Sequence, residues 1–135
     1  MERPLEGIVV LDLSQFLSGP RCAQILALLG ARVIKVETPM GDAMRLIMRL
    51  IASERAMSVI QQNNEAIVIN WRTPEGAQIV KELAARADVL IENFAKGILK
   101  KAGLGYDELS KLNPRLIYTS ITGFGHTGPK AGKTA

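Results

Sequence analysis

The sequence predicts an α/β fold: a doubly wound, mostly parallel sheet with helices on both faces, Rossmann-like in plan. Two observations carry this. Short aliphatic runs alternate along the chain with stretches of helical periodicity. Runs such as Val9-Val10-Leu11 and Val89-Leu90-Ile91 lack polar alternation, as strands do when both faces are covered.

Taken in order, 7–12 reads as the first strand. Ser18 is placed as the cap of a helix with Pro20 in its first turn. Cys22, Ile25, Leu26 and Leu29 share the inward face, and Gly30 ends the helix. A second strand runs from Arg32 to Val36 and stops at Thr38-Pro39, completing a βαβ unit, right-handed as such crossovers are. Residues 42–52 read as a short helix capped by Asp42, with Met44, Ile47, Met48 and Ile51 on one face. The polar break 61–64 leads to a third strand over Ala66 to Asn70. Thr73-Pro74 opens a helix to about Ala87, with Ile79, Val80, Leu83 and Ala84 inward. A fourth strand spans Val89 to Glu92. Short helices follow near 95–101 and 106–112, with Gly103 and Gly105 as breakers. Leu116 to Ile121 is the fifth strand, ahead of a Gly-rich tail.

The 135 residues suit a single domain, with 47% hydrophobic and 22% charged content, both ordinary for a globular protein. Aromatics are only 4%, so aliphatic side chains must fill the core. The net charge of +4 is scattered rather than striped, which argues against a nucleic-acid partner and leaves room for an anionic small ligand. Cys22 is the one cysteine, so no internal disulfide forms, and a reducing, cytoplasmic compartment is expected. No apolar run approaches the ~20 residues of a membrane span, so no membrane partner is expected.

Two nucleotide-binding motifs are approached and missed. Gly132-Lys133-Thr134 ends like a P-loop, but the register needs a glycine where Thr127 stands, and no helix follows to present its amides. The first strand–helix turn, SQFLSGPRCAQ, has one glycine where a dinucleotide fingerprint needs three, although Glu37 stands where a ribose acid would. In a doubly wound sheet the ligand lies outside the carboxyl ends of the strands. Four loops therefore matter: Ser14 to Pro20, Glu37 to Asp42, Asn93 to Lys101 and Thr122 to Pro129.

Five blocks in those loops and strands, "LDLSQFLSGP", "LGARVIKVETPMGD", "TPEG", "ADVLIENF" and "LGYDELSKLNPRLIYTSITGFGHTGP", resemble in this order the N-terminal domain of class III coenzyme A transferases, from about Pro4 to Pro129. That family includes formyl-CoA and carnitine-CoA transferases and the related α-methylacyl-CoA racemases. The resemblance implies coenzyme A or acyl-CoA as substrate, no permanently bound cofactor, and a homo-oligomer. It implies that Phe16, Leu17 and Ser18 border the pantetheine and thiol end. Ile69 to Arg72 would line the nucleotide, with Asn93, Phe94 and Lys101 completing the site. The family works through a nucleophilic aspartate downstream of the last block, beyond Ala135. The resemblance therefore implies that 1–135 is a single coenzyme A-binding domain, a truncated N-terminal part of a longer transferase, and inactive alone. The sequence departs from the family where residues 61–65 read QQNNE in place of a basic segment. It also carries Thr38 where formyl-CoA transferases have Arg, and Leu17 where they have Gln. Competing readings are a non-catalytic binding or assembly module of the same fold, a racemase fragment, and a nicotinamide-dependent oxidoreductase.

Several polar residues have simpler readings. Asp12 suits a strand-end turn better than catalysis. Cys22 reads as a packed thiol. His126, the only histidine, reads as solvated, with no partner visible. Glu37 and Asp42 suit turn polarity, Arg45 and Arg49 a solvated helix face, and Asn93 a helix cap. Trp71 reads as core, and Met44 with Met48 as a packing pair.

Overall fold

The computed structural model describes residues 3–45, 47, 64–131 and 133. The elements are β1 (Val9–Asp12), α1 (Ser18–Leu28), β2 (Arg32–Glu37), β3 (Asn64–Val68), α2 (Pro74–Ala84), β4 (Val89–Glu92), α3 (Ile98–Lys101), α4 (Tyr106–Leu112) and β5 (Ile117–Ser120). The strands form one sheet in the order β3-β2-β1-β4-β5, and every pairing is parallel. This is the doubly wound arrangement expected. The order reverses direction between β1 and β4, so the loops after these two strands diverge and leave a crevice. Among the described residues no helix is long and apolar enough to cross a membrane.

Alternate residues of the central strands feed two cores. Val10, Val33 and Ile91 pack with Ala23, Ala27 and Ala31 under α1. Leu11, Val36 and Leu90 face the other way, against Trp71, Val80, Ala84, Leu104 and Leu109. Val10, Leu90 and Ile91 have no exposed surface, which explains the missing polar alternation in their strands.

Some expectations are corrected. Ser18 does not cap α1: it is the first helical residue, Leu17 holds the cap position, and no side chain bonds there. The inward face of α1 is Gly19, Ala23, Gln24 and Ala27, while Ile25 and Leu29 are 46% and 42% exposed. Ala23 and Ala27 let the helix lie close to the strands, Cys22 and Leu26 pack half-buried beside them as expected, and Ile25 and Leu29 are turned outward. In α2, Ile79 is exposed for a similar reason, with Gly76, Ala77, Val80 and Ala84 inside. β3 begins two residues earlier than expected and is an edge strand, exposed along most of its length. It is Ile69 and Trp71, past its end, that enter the core. The cap at Thr73 is present, its hydroxyl accepting from Gly76 N at 3.2 Å. Asp42 likewise accepts from Met44 N at 2.8 Å, and 43–45 and 47 are helical. The rest of the helix expected over 42–52, with Met48, Arg49 and Ile51, lies outside the described residues.

Candidate functional site

The crevice is built from the loops after β1 and β4. Parallel register sets Asp12 beside Lys35 and Glu92 beside Ser120. Both pairs bond across neighbouring strands, Lys35 to Asp12 and Ser120 to Glu92. Lys35 donates to Asp12 Oδ2 at 3.2 Å and to the Ser14 carbonyl, and lies 3.5 Å from Asp42. Asp12 also accepts from Ser14 N at 2.8 Å and from the Ser14 hydroxyl. Asp12 is thus a buried organiser of the turn, in line with its expected turn role. Gly19 is required here, because a Cβ on it would stand 2.1 Å from Ser14 Cβ.

Asn93 is not a helix cap. Its Oδ1 accepts from Gln15 N at 2.8 Å, and its Nδ2 donates to Gln15 O at 2.7 Å and to Ser18 Oγ at 3.4 Å. The carboxamide grips both backbone groups of one residue, tying the loop after β4 to the loop after β1. The next residue, Phe16, takes φ 63°, the only positive φ outside glycine among the described residues. That turn presents Phe16, 46% exposed, to the crevice, while Leu17, 55% exposed, lines neither of the two clefts of this site. A backbone held in a sparsely populated region needs its surroundings to enforce it, and Asn93 does so.

Phe16, Ser18, Asn93, Phe94, Lys96 and Lys133 line one cleft of about 490 Å³, together with Ile121, Thr122, Gly123 and Gly125 of the segment that follows β5. Phe94 meets the edge of Trp71 with ring centroids 5.1 Å apart, and the Arg72 guanidinium sits 5.4 Å over the Trp71 ring. The loop from Ile69 to Arg72 is therefore a neighbour of the cleft through Phe94. Ile69 itself is only 4% exposed, a core side chain. Arg72 and Lys101 are exposed and line neither of the two clefts beside this loop. Lys133 lines the first cleft and Lys100 the second, and Lys96 is the cation that lines both, which the sequence reading missed. Its place three residues after Asn93, in a loop leaving a strand end, is the signal that was available.

The second cleft, about 620 Å³, shares Ala95 and Lys96 with the first and is walled by Tyr106, Tyr118 and His126. Burial, then the charges of Glu92 and Glu108, push the Tyr118 hydroxyl above the usual tyrosine range. His126 is exposed, yet it has a partner: its Nε2 lies 2.7 Å from Ser120 Oγ. Arg45, read as a solvated charge, pairs with Glu37 at 2.6 Å. A cleft with aromatic walls and a cation, at the carboxyl ends of parallel strands, is of the class that takes an elongated anionic cofactor-like ligand.

The chain matches CoA-transferase family III over residues 5–135 and belongs to that family. It is 47% identical over 134 residues to succinyl-CoA–D-citramalate CoA-transferase of Chloroflexus aurantiacus, covering 97% of this chain and 33% of that protein. It is 45% identical to succinyl-CoA:glutarate CoA-transferase of Mus musculus, covering 94% and 30%. A crystal structure of a CAIB/BAIF family protein from Brucella suis superposes with a TM-score of 0.93 at 44% identity, over 99% of this chain and 37% of that one. The chain spans about a third of the length of the curated relatives it matches.

Proposed function

We propose that residues 1–135 form a single coenzyme A-binding domain of a transferase that moves coenzyme A between an acyl-CoA thioester and a carboxylic acid. The observation that carries this is the cleft of Phe16, Ser18, Asn93, Phe94 and Lys96 at the strand carboxyl ends of a family III chain. Coenzyme A has a slender pantetheine arm and a phosphorylated nucleotide end. Phe16 and Phe94 offer the arm apolar walls. Lys96 and Lys133 in the cleft, and Arg72 over Trp71 beside it, offer cations to the phosphates. The relatives named for succinyl-CoA with citramalate, malate or glutarate make a dicarboxylic acid the first acceptor to try. The covalent step falls to the family's aspartate, outside 1–135, where a carboxylate attacks the thioester carbonyl and expels the thiolate. Residues 1–135 by themselves then bind coenzyme A and transfer no acyl group.

Calorimetric titration with coenzyme A tests this. Binding is expected, and it weakens as salt rises, because exposed contacts are screened within ~8 Å at physiological ionic strength. Lys96→Ala is expected to weaken it by about threefold to tenfold. Lys101→Ala tests the position that the family resemblance implies. Absence of binding at low salt overturns the reading.

A further inference from the structure

The loop after β5 has little packing to hold it. Residues 123–130 are exposed, and Gly125 and Gly128 take φ of +78° and +88° with nothing near the place of a Cβ. Polar tethers hold it instead. Gly125 N donates to Thr122 Oγ1 at 2.8 Å, Lys96 Nζ donates to the His126 carbonyl at 2.8 Å, and the His126 ring reaches Ser120. Ser120 in turn donates its hydroxyl to Glu92 Oε1, while Glu92 Oε2 accepts from Phe94 N at 2.8 Å. Glu92 is 5% exposed. A hydroxyl has one proton. With that proton given to the carboxylate, Ser120 Oγ can only accept from the imidazole, so His126 carries its proton on Nε2.

The polar chain therefore runs from the amide of Phe94, on one wall of the first cleft, to His126. His126 directly follows Gly125, which lines the same cleft with Ile121, Thr122 and Gly123. The ring itself lines the second cleft, so it acts on the first through the loop. We propose that Glu92, Ser120 and His126 form a brace that sets the width of the coenzyme A cleft, with His126 as a positioning residue seated in the neighbouring cleft. This deepens the function proposed above and rests on it for the identity of the ligand.

The test uses the intact protein with His126→Ala, His126→Gln and Ser120→Ala. Glutamine places a side-chain N–H where the imidazole Nε2–H stood, so it keeps the donor and loses the ring. Amide hydrogen exchange of 121–128 without ligand reads the brace directly. His126→Ala and Ser120→Ala are expected to speed it about tenfold, and His126→Gln to restore most of the protection. Coenzyme A affinity is expected to fall about threefold to tenfold in His126→Ala and to recover in His126→Gln, with the melting temperature of both within about 1 °C of the parent. Nitrogen NMR is expected to show the Nε2–H tautomer. Unchanged exchange in His126→Ala overturns the brace, as does failure of His126→Gln to restore it. An affinity that stays at the parent value while exchange rises overturns the effect on the cleft. A parent protein that binds no coenzyme A overturns the function proposed above, and exchange then decides the brace alone.

Discussion

Lys35 is 2% exposed and faces two carboxylates, Asp12 at 3.2 Å and Asp42 at 3.5 Å. A buried charge is tolerated only when paired and hydrogen-bonded, and the cluster supplies both through Ser14 as well. Removing the cation strands two buried carboxylates. Lys35→Met is expected to cost about 3–5 kcal/mol, read as a lower denaturation midpoint. Nearby, Cys22 is half-buried, and burial, then the Asp12 charge, push its thiol above the ordinary range. A raised thiol has less thiolate at a given pH, so native Cys22 is expected to alkylate far more slowly at pH 8 than in the denatured chain. Measured rates that match in the two states would contradict this. The ion pair of Lys35 with Asp12 was not legible locally. Asp12 read as a turn residue and Lys35 as part of a strand, and only the pairing of β1 with β2 places them side by side.

At the scale of elements, glycine positions decide how closely helices approach loops. Gly76 lies in the first turn of α2, and a Cβ on it would stand 2.0 Å from the carbonyl oxygen of Asn70. Helix propensity alone favours alanine by ~1 kcal/mol. The clash with backbone reverses the sign, and Gly76→Ala is expected to destabilise by about 1–3 kcal/mol in a thermal or chemical melt. Thr73→Ala, which removes the cap on the Gly76 amide, is expected to cost about 1 kcal/mol, with Thr73→Ser near neutral. The Thr73-Pro74 start could be read from sequence because a cap and a first-turn proline are local chemistry. The inward face of α1 could not, since periodicity allows both the Ile25 and Leu29 stripe and the Ala23 and Ala27 stripe, and only the distance to the sheet selects between them.

At the scale of the molecule, apolar surface is left at both edges of the sheet. Val68 on β3 is 64% exposed and Ile117 on β5 is 62% exposed. On the outer side of α1, Ile25, Leu28 and Leu29 are 42–51% exposed. Monomers seldom leave contiguous apolar patches much beyond a few hundred Å² open, and unpaired edges invite pairing. Residues 1–135 are therefore expected to self-associate, seen by light scattering as a mass that rises with concentration. Replacing Val68 and Ile117 with lysine is expected to shift the population toward monomer. A constant monomer mass for the unaltered chain would contradict this and would mean that residues outside those described cover the edges.

The pattern along the chain specified the alternation of strands and helices among the described residues, the parallel sheet, the helix starts at Asp42 and Thr73-Pro74, and, through its ordered blocks, the family. These follow from local preference and from burial patterns that repeat along the chain. Tertiary structure alone decided that Asn93 grips Gln15 rather than capping a helix, that Lys96 rather than Lys101 lines the cleft, and that His126 has a partner. Asn93 stands 78 residues from Gln15, and Ser120 stands 28 residues from Glu92. Contacts over such separations are set by strand register and sheet order, which no local pattern encodes.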